Sequence, residues 1–145
     1  MLNIQLPTNI EKIENKIINS EALWKKGIKN GSMKAGRSIQ KRVTTLLSSG
    51  SRSGRKYRGL PNRSSAPGEN PRTQSGRLAR SVYYNSGVNQ FSVGATEDHA
   101  TYLTEGTKRM EARPHKNLPF FELAIEQEEK NTEEYLTKGV KDEIC

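Results

Sequence analysis

The sequence predicts a single α+β domain of 145 residues. Three observations predict it. Apolar residues recur at helical spacing from Ile10 to Leu47. A short alternating stretch lies around Asn85-Ser86-Gly87, and a second helical stripe with an acidic background follows Pro119. The expected order is a long N-terminal helix, an extended basic loop, a small antiparallel hairpin-based sheet with a short helix, and a C-terminal acidic helix. The boundaries are 1–48 for the helical region, 49–72 for a basic flexible arm, 73–118 for the hairpin and short helix, and 119–145 for the last helix.

In the first region, Ile10, Ile13, Ile17, Trp24, Ile28, Ala35, Ile39, Val43 and Leu46 are spaced 3, 4, 7, 4, 7, 4, 4 and 3 apart. That spacing is the stripe of an amphipathic helix. Thr8 or Asn9 can cap its start, after Pro7. Asn30-Gly31-Ser32 interrupts the stripe without changing its phase, which leaves one kinked helix or two helices with a bend. Lys12, Lys16, Lys25, Lys26, Lys29, Lys34 and Lys41 read as a solvated opposite face.

Residues 48–72 are rich in serine, glycine and proline, with Arg52, Arg55, Lys56, Arg58, Arg63 and Arg72 interleaved. Only Tyr57 and Leu60 could anchor anything, so a long loop is expected. Loops beyond about 15 residues are uncommon in compact domains and are usually functional or disordered. Thr73 to Arg80 reads as a capped helical turn, with Arg77 and Arg80 on one face. Ser81-Val82-Tyr83-Tyr84 reads as a strand, Asn85-Ser86-Gly87 as a turn, and Gln90 to Gly94 as the returning strand with Phe91 and Val93 inward. Asp98 can cap a short helix holding Ala100, Tyr102 and Leu103, and Gly106 ends it, since glycine enters the left-handed region freely. Pro119 suits the first turn of the final helix. Phe121, Ala124, Ile125, Thr132, Tyr135 and Leu136 share one face there, and the stretch from Lys138 to Cys145 is expected to fray.

Composition excludes several classes. Hydrophobic residues are 32% and charged residues 28%, so the core is thin for this length and a stable monomer would be surprising. No run approaches the ~18 apolar residues of a membrane span, so no membrane partner is expected. Met1 to Pro7 carries no basic patch ahead of an apolar stretch, so no secretory signal is expected. Cys145 is the only cysteine, which rules out an intrachain disulfide. His99 and His115 are too far from it and from each other to suggest a zinc set, and no cofactor or metal is expected. No nucleophile motif, glycine-rich phosphate loop or carboxylate pair marks an enzyme.

The net charge is +8, and its distribution says more than its sum. Residues 1–48 carry net +6, residues 49–80 net +7, residues 81–119 balance, and residues 120–145 carry net −5. A polyanionic partner, head-to-tail attraction between copies, and plain solubility all fit this asymmetry.

Two stretches carry a family resemblance. The first is Ala66-Pro67-Gly68-Glu69-Asn70-Pro71, followed by Ser75-Gly76-Arg77-Leu78 and Ser81-Val82. The second is His99-Ala100-Thr101-Tyr102-Leu103-Thr104-Glu105-Gly106-Thr107, followed by Met110, Ala112-Arg113-Pro114 and an apolar helix start at Phe120. In order and spacing they resemble the tail-completion, or neck, proteins of long-tailed double-stranded DNA phages. The resemblance covers roughly residues 40–135. It departs from the family pattern in three places. Ser75 stands where threonine is commoner. His115-Lys116-Asn117 intrude before Leu118-Pro119-Phe120. Tyr102 sits only three residues before Glu105.

The resemblance implies a small α+β subunit, without catalysis, that forms a ring in the neck of the virion. Its implied partners are itself, the portal or head-completion proteins, the tail proteins, and the packaged double-stranded DNA passing through the lumen. Assembly would take place in the host cytoplasm. Six copies match a six-fold tail and are the first expectation; twelve, matching a portal, are the second. Pro67, Gly68, Ser75, Gly76, Leu78, Gly106 and Pro114 are its structural motif positions. A tail terminator, or a small basic nucleic-acid-binding module, is the alternative.

Each candidate residue also has a plainer role. Glu105, beside Gly106-Thr107, either meets a basic residue of a neighbouring copy or is an exposed acid at a helix end. Arg113 either forks onto a carboxylate of a neighbour's acidic final helix, where Glu126 and Glu129 are the candidates, or sits solvated at a rigid turn. Thr107 joins the interface set with Glu105. Tyr102 reads first as core, like Leu103, and is carried as an interface candidate too. Arg77 and Arg80 read as structural pairs rather than nucleic-acid contacts. Arg52, Arg55, Lys56, Arg58 and Arg63 belong to an assembly arm that orders on a partner, to a DNA-facing loop whose phosphate contacts let the duplex slide, or to a solvated loop.

Overall fold

A computed structural model describes residues 9–87, 90–113 and 119–145 of the chain, with the side chains of the first helix described from residue 15 onward. Thr8 and Pro114 lie outside these residues, as do the side chains of Ile10 and Ile13.

One helix, α1 (Asn9–Ser49), runs 41 residues without interruption. Its Gly31 does not divide it into two helices. A Cβ there would lie 2.7 Å from the carbonyl oxygen of Tyr135, so the glycine lets a second helix approach. That helix is α4 (Phe120–Ile144). It lies antiparallel to α1, since Glu128 meets Ser38 and Arg42 while Glu143 meets Asn30 and Lys26. At the crossing, a Cβ on Gly139 would sit 2.5 Å from the carbonyl oxygen of Gly27.

Between the two helices come α2 (Arg77–Ser81), β1 (Val82–Ser86), β2 (Phe91–Ala95) and α3 (His99–Glu105). The fold is therefore α+β. The strands pair antiparallel with Val82 opposite Ala95 and Tyr84 opposite Val93. A lone hairpin is marginal in water. Here α1 supports it. Gln40 Nε2 donates to the Val82 carbonyl at 2.7 Å, and Arg37 Nε donates to the Tyr84 hydroxyl at 2.8 Å. The core is small: Ile39, Val43 and Leu47 of α1, Val82, Ala100, and Phe120 and Ala124 of α4. Phe91 and Val93 pack against it.

Several local expectations are corrected. Ser81 closes α2 rather than opening β1, and Asn85 and Ser86 extend the strand. Asp98 sits at the start of α3 in helical conformation and makes no side-chain cap, and the residue capping α2 is Gly76, at φ 77°. The Ser75 hydroxyl only reaches the Arg77 amide at 3.4 Å. Leu47, not Leu46, completes the buried stripe of α1. On α4 the buried face holds Phe120, Leu123, Ala124, Glu128 and Gly139, while Ile125 is 51% exposed. The stretch from Lys138 does not fray, because Gly139 seats it on α1 and Glu143 pairs with Lys26 at 2.8 Å. Pro119 precedes α4 as its cap residue.

Candidate functional site

The basic arm is irregular, as expected, but it is not free-standing. Gly54 N–H donates to the Ser64 carbonyl at 2.8 Å, and Ser64 N–H donates to that of Arg55 at 3.0 Å. An antiparallel bridge joins Lys56 and Arg63. At the base, Thr73 N–H donates to the Leu47 carbonyl at 2.8 Å, which ties the arm to the end of α1.

The Pro67-Gly68 motif has a clear mechanical role. Glu69 N–H closes a turn onto the Ala66 carbonyl at 3.2 Å, with Gly68 at φ 82°. Proline then glycine at the two central positions is what a type II turn selects. The Glu69 carboxylate accepts from Ser53 Oγ at 2.6 Å and from Ala66 N–H at 2.8 Å. The Ser53 hydrogen bond, then the Ala66 amide, holds its pKa below the usual carboxylate value despite some desolvation.

All five arm cations are exposed. Their surroundings differ. Lys56 Nζ donates to the carbonyls of Leu60 and Pro61, and the Arg55 guanidinium lies 5.6 Å from the Tyr57 ring centre. Arg63 reaches the Gly54 carbonyl weakly at 3.5 Å. Arg52 and Arg58 make no side-chain hydrogen bond or ion pair among the described residues. Charge reversal at both, Arg52→Glu with Arg58→Glu, is expected to leave stability within about 0.5 kcal/mol in a chemical melt. A larger loss would mean that these side chains hold the fold.

Arg113 turns inward. Its Nη1 donates to the Ser65 carbonyl, and its N–H donates to the Leu103 carbonyl at 2.7 Å. Within the chain it therefore pins the arm to the α3 corner and forms no pair with Glu126 or Glu129, both exposed on α4. Arg77 pairs with Glu97 at 3.3 Å, and Arg80 donates to the Ser75 carbonyl at 3.3 Å. Tyr102 is 47% exposed, which corrects its assignment to the core; Leu103 is the residue of that pair packed against it. Glu105 and Thr107 are exposed on the same corner. Thr107 and Met110 form a bridge, and the Thr107 hydroxyl accepts from Arg109 N–H at 3.2 Å.

Gly106 ends α3, though not in the left-handed helical region. Its φ is 78° and its ψ −178°, a conformation open essentially to glycine alone. A Cβ would also sit 2.8 Å from the Ala112 nitrogen. Gly106→Ala is expected to cost about 3 kcal/mol, read as a lower denaturant midpoint. An unchanged midpoint would contradict this geometry.

Three features were not singled out from sequence. One is the helix crossing at Gly27, Gly31 and Gly139; the four-residue spacing of the first two was its only signal. Another is Glu128, 3% exposed, which accepts from Ser38 Oγ, Arg42 and Asn131 Nδ2 at 2.5 to 2.8 Å. Burial works to raise its pKa. The bonds from Asn131, Ser38 and Arg42, with the charge of Arg42, outweigh that and hold it below the usual value. The last is an apolar groove of about 460 Å³ beneath the arm, lined by Leu47, Leu60, Pro71, Leu78, Leu103 and Met110 among others. Arg72 Nε, Arg113 Nε and the Gln74 amide are buried without a hydrogen-bond partner in its lining residues. Among the described residues no group of acidic, histidine or cysteine side chains is arranged to hold a metal.

The chain matches no family model, no curated protein and no solved structure.

Proposed function

We propose that this chain is a structural protein of a phage virion. Copies form a ring in the neck that joins the DNA-filled head to the tail and lines the path of the genome. The observation that carries the proposal is the separation of charge on exposed surface. Arg52, Arg55, Lys56, Arg58 and Arg63 stand on the arm, while Glu122, Glu126, Glu129, Glu133 and Glu134 stand exposed on α4. Copies arranged head to tail bring the arm of one against α4 of the next. Such a heterologous contact closes into a ring when its rotation allows. Burial between copies also offsets the small core. The motif order around Pro67-Gly68, Ser75-Gly76 and Glu105-Gly106-Thr107 supports the neck assignment by resemblance.

Six copies are the preferred ring, matching a six-fold tail, with twelve as the alternative. Arg113 contributes indirectly, by holding the arm that meets the neighbour. Tyr102, Glu105 and Thr107 remain available at the α3 corner for that contact.

Deletion of the gene tests the proposal. The expected result is DNA-filled heads and finished tails that fail to join. Normal infectious particles assembled without the protein would overturn it. The exposed arm cations also favour a second reading, a small basic nucleic-acid-binding module. Tight binding of the isolated chain to duplex DNA, falling steeply with salt, is its signature.

A further inference from the structure

We propose that the groove beneath the arm is a binding site for a small amphipathic carboxylate, an organic acid with an apolar body. The site goes beyond the ring reading and does not depend on it.

The groove is built from separate parts of the chain. The arm contributes Tyr57 and Leu60, α2 contributes Leu78, and the α3 corner contributes Leu103 and Met110. Leu60, Leu78, Leu103 and Met110 are each only half-buried, so apolar surface is left for an occupant to cover. The volume of about 460 Å³ lies in the range of small-molecule sites, which are concave and mostly apolar with a few polar groups that fix orientation. Water gains little from such a wall.

Two arginines decide the chemistry. Arg72 and Arg113 line the groove, and both are half-buried. Each donates from Nη1 to a backbone carbonyl, Arg72 to Gly50 at 3.1 Å and Arg113 to Ser65. Each leaves its Nε buried with no acceptor. The Gln74 amide, in the same lining, has both Nε2 and Oε1 unpartnered. Among the described residues neither guanidinium has a carboxylate within ion-pair distance. Glu97, the acid of the lining, pairs instead with Arg77 at 3.3 Å and lies 3.5 Å from His99. Glu69 feels the charge of Arg113, but its carboxylate accepts from Ser53 and Ala66. Charges withdrawn from water are ordinarily paired, and a buried donor without an acceptor is costly.

These observations select an anion. The lining holds three arginines and His99 against Glu97 alone. The edge of a guanidinium that includes Nε is one on which a carboxylate docks through parallel hydrogen bonds. That edge is left over on both arginines because a backbone carbonyl takes Nη1. An inorganic anion would answer the guanidiniums and leave the apolar wall uncovered. A hydrocarbon would do the reverse. A carboxylate on an apolar body answers both. Bound there, it bridges the arm and the α3 corner and stabilises the folded chain, as any ligand of the native state does.

The test uses the full chain with methyl-labelled methionine. Met110 lines the groove, and Met33 stands away from it on α1. Decanoate is the probe. Decyltrimethylammonium, with the same chain and the opposite charge, and acetate, with the same head and no apolar body, are the controls. Decanoate is expected to shift the Met110 signal saturably, half-complete below about 1 mM, to leave Met33 in place and to raise Tm. The controls are expected to do neither. Arg72→Gln is expected to weaken decanoate binding about tenfold, the loss of a charge-assisted contact. Arg52→Gln, outside the groove, leaves it unchanged. Met110→Trp, which fills the groove, is expected to abolish the heat of decanoate binding while circular dichroism is retained. Equal binding of the cation, or a Met110 signal that decanoate does not move, overturns the proposal. A signal that moves with protein concentration instead, as a second copy seated in the groove would make it, overturns it too. None of these outcomes touches the ring reading.

Discussion

Gly139→Ala lowers stability by about 3 kcal/mol, roughly 10 °C in Tm. The added methyl group meets only backbone: the Gly27 carbonyl oxygen at 2.5 Å, the Gly31 nitrogen at 2.8 Å and the Gly31 Cα at 3.0 Å. No flexible side chain can give way, so the two helices must separate. Separation loosens the Glu143 contacts with Lys26 and Asn30 one turn further on. The sign is diagnostic. Glycine to alanine within an uncrowded helix stabilises by about 0.5–1 kcal/mol. Thermal melts followed by circular dichroism decide it, and a stabilised Gly139→Ala variant would mean that α1 and α4 do not cross at this distance.

Arg42→Met destabilises by about 2 kcal/mol at neutral pH. The change removes both charge-assisted contacts to Glu128, at 2.7 and 2.8 Å, and leaves a 3% exposed carboxylate with only Ser38 and Asn131 as donors. In the native chain the Glu128 pKa is lowered, so its contribution is present above the ordinary carboxylate value of 4.5 and is lost as the pH falls through the folded value. In the variant, burial dominates and the pKa rises. The deficit between the two proteins is therefore largest near pH 7 and shrinks below about pH 4.5. Urea melts across that range measure it. A deficit independent of pH would show that Glu128 is not the group responsible.

The parts legible in the sequence were those with a strong local period. The spacing of Ala35, Ile39 and Val43 predicts the buried face of α1, and Phe91 and Val93 predict the inward face of β2. What escaped depends on neighbours distant in sequence. Gly31 reads locally as a helix interruption, yet α4 supplies the reason for it. Glu128 reads as one acid among eight in 120–145; Ser38 and Arg42, ninety and eighty-six residues away, make it a core residue. Ile125 is apolar but one position off the seam, so it faces water. In the candidate site, the exposure of the arm cations followed from composition. The inward turn of Arg113 did not, because its partner is a backbone carbonyl forty-eight residues away and no side-chain pattern encodes it.

Self-association is the claim on which the functional account stands. Mass photometry of the purified full chain at physiological salt measures it most directly. The predicted result is a closed species of six times the 16.3 kDa chain mass. A single 16.3 kDa species that persists at every concentration and salt would contradict the account.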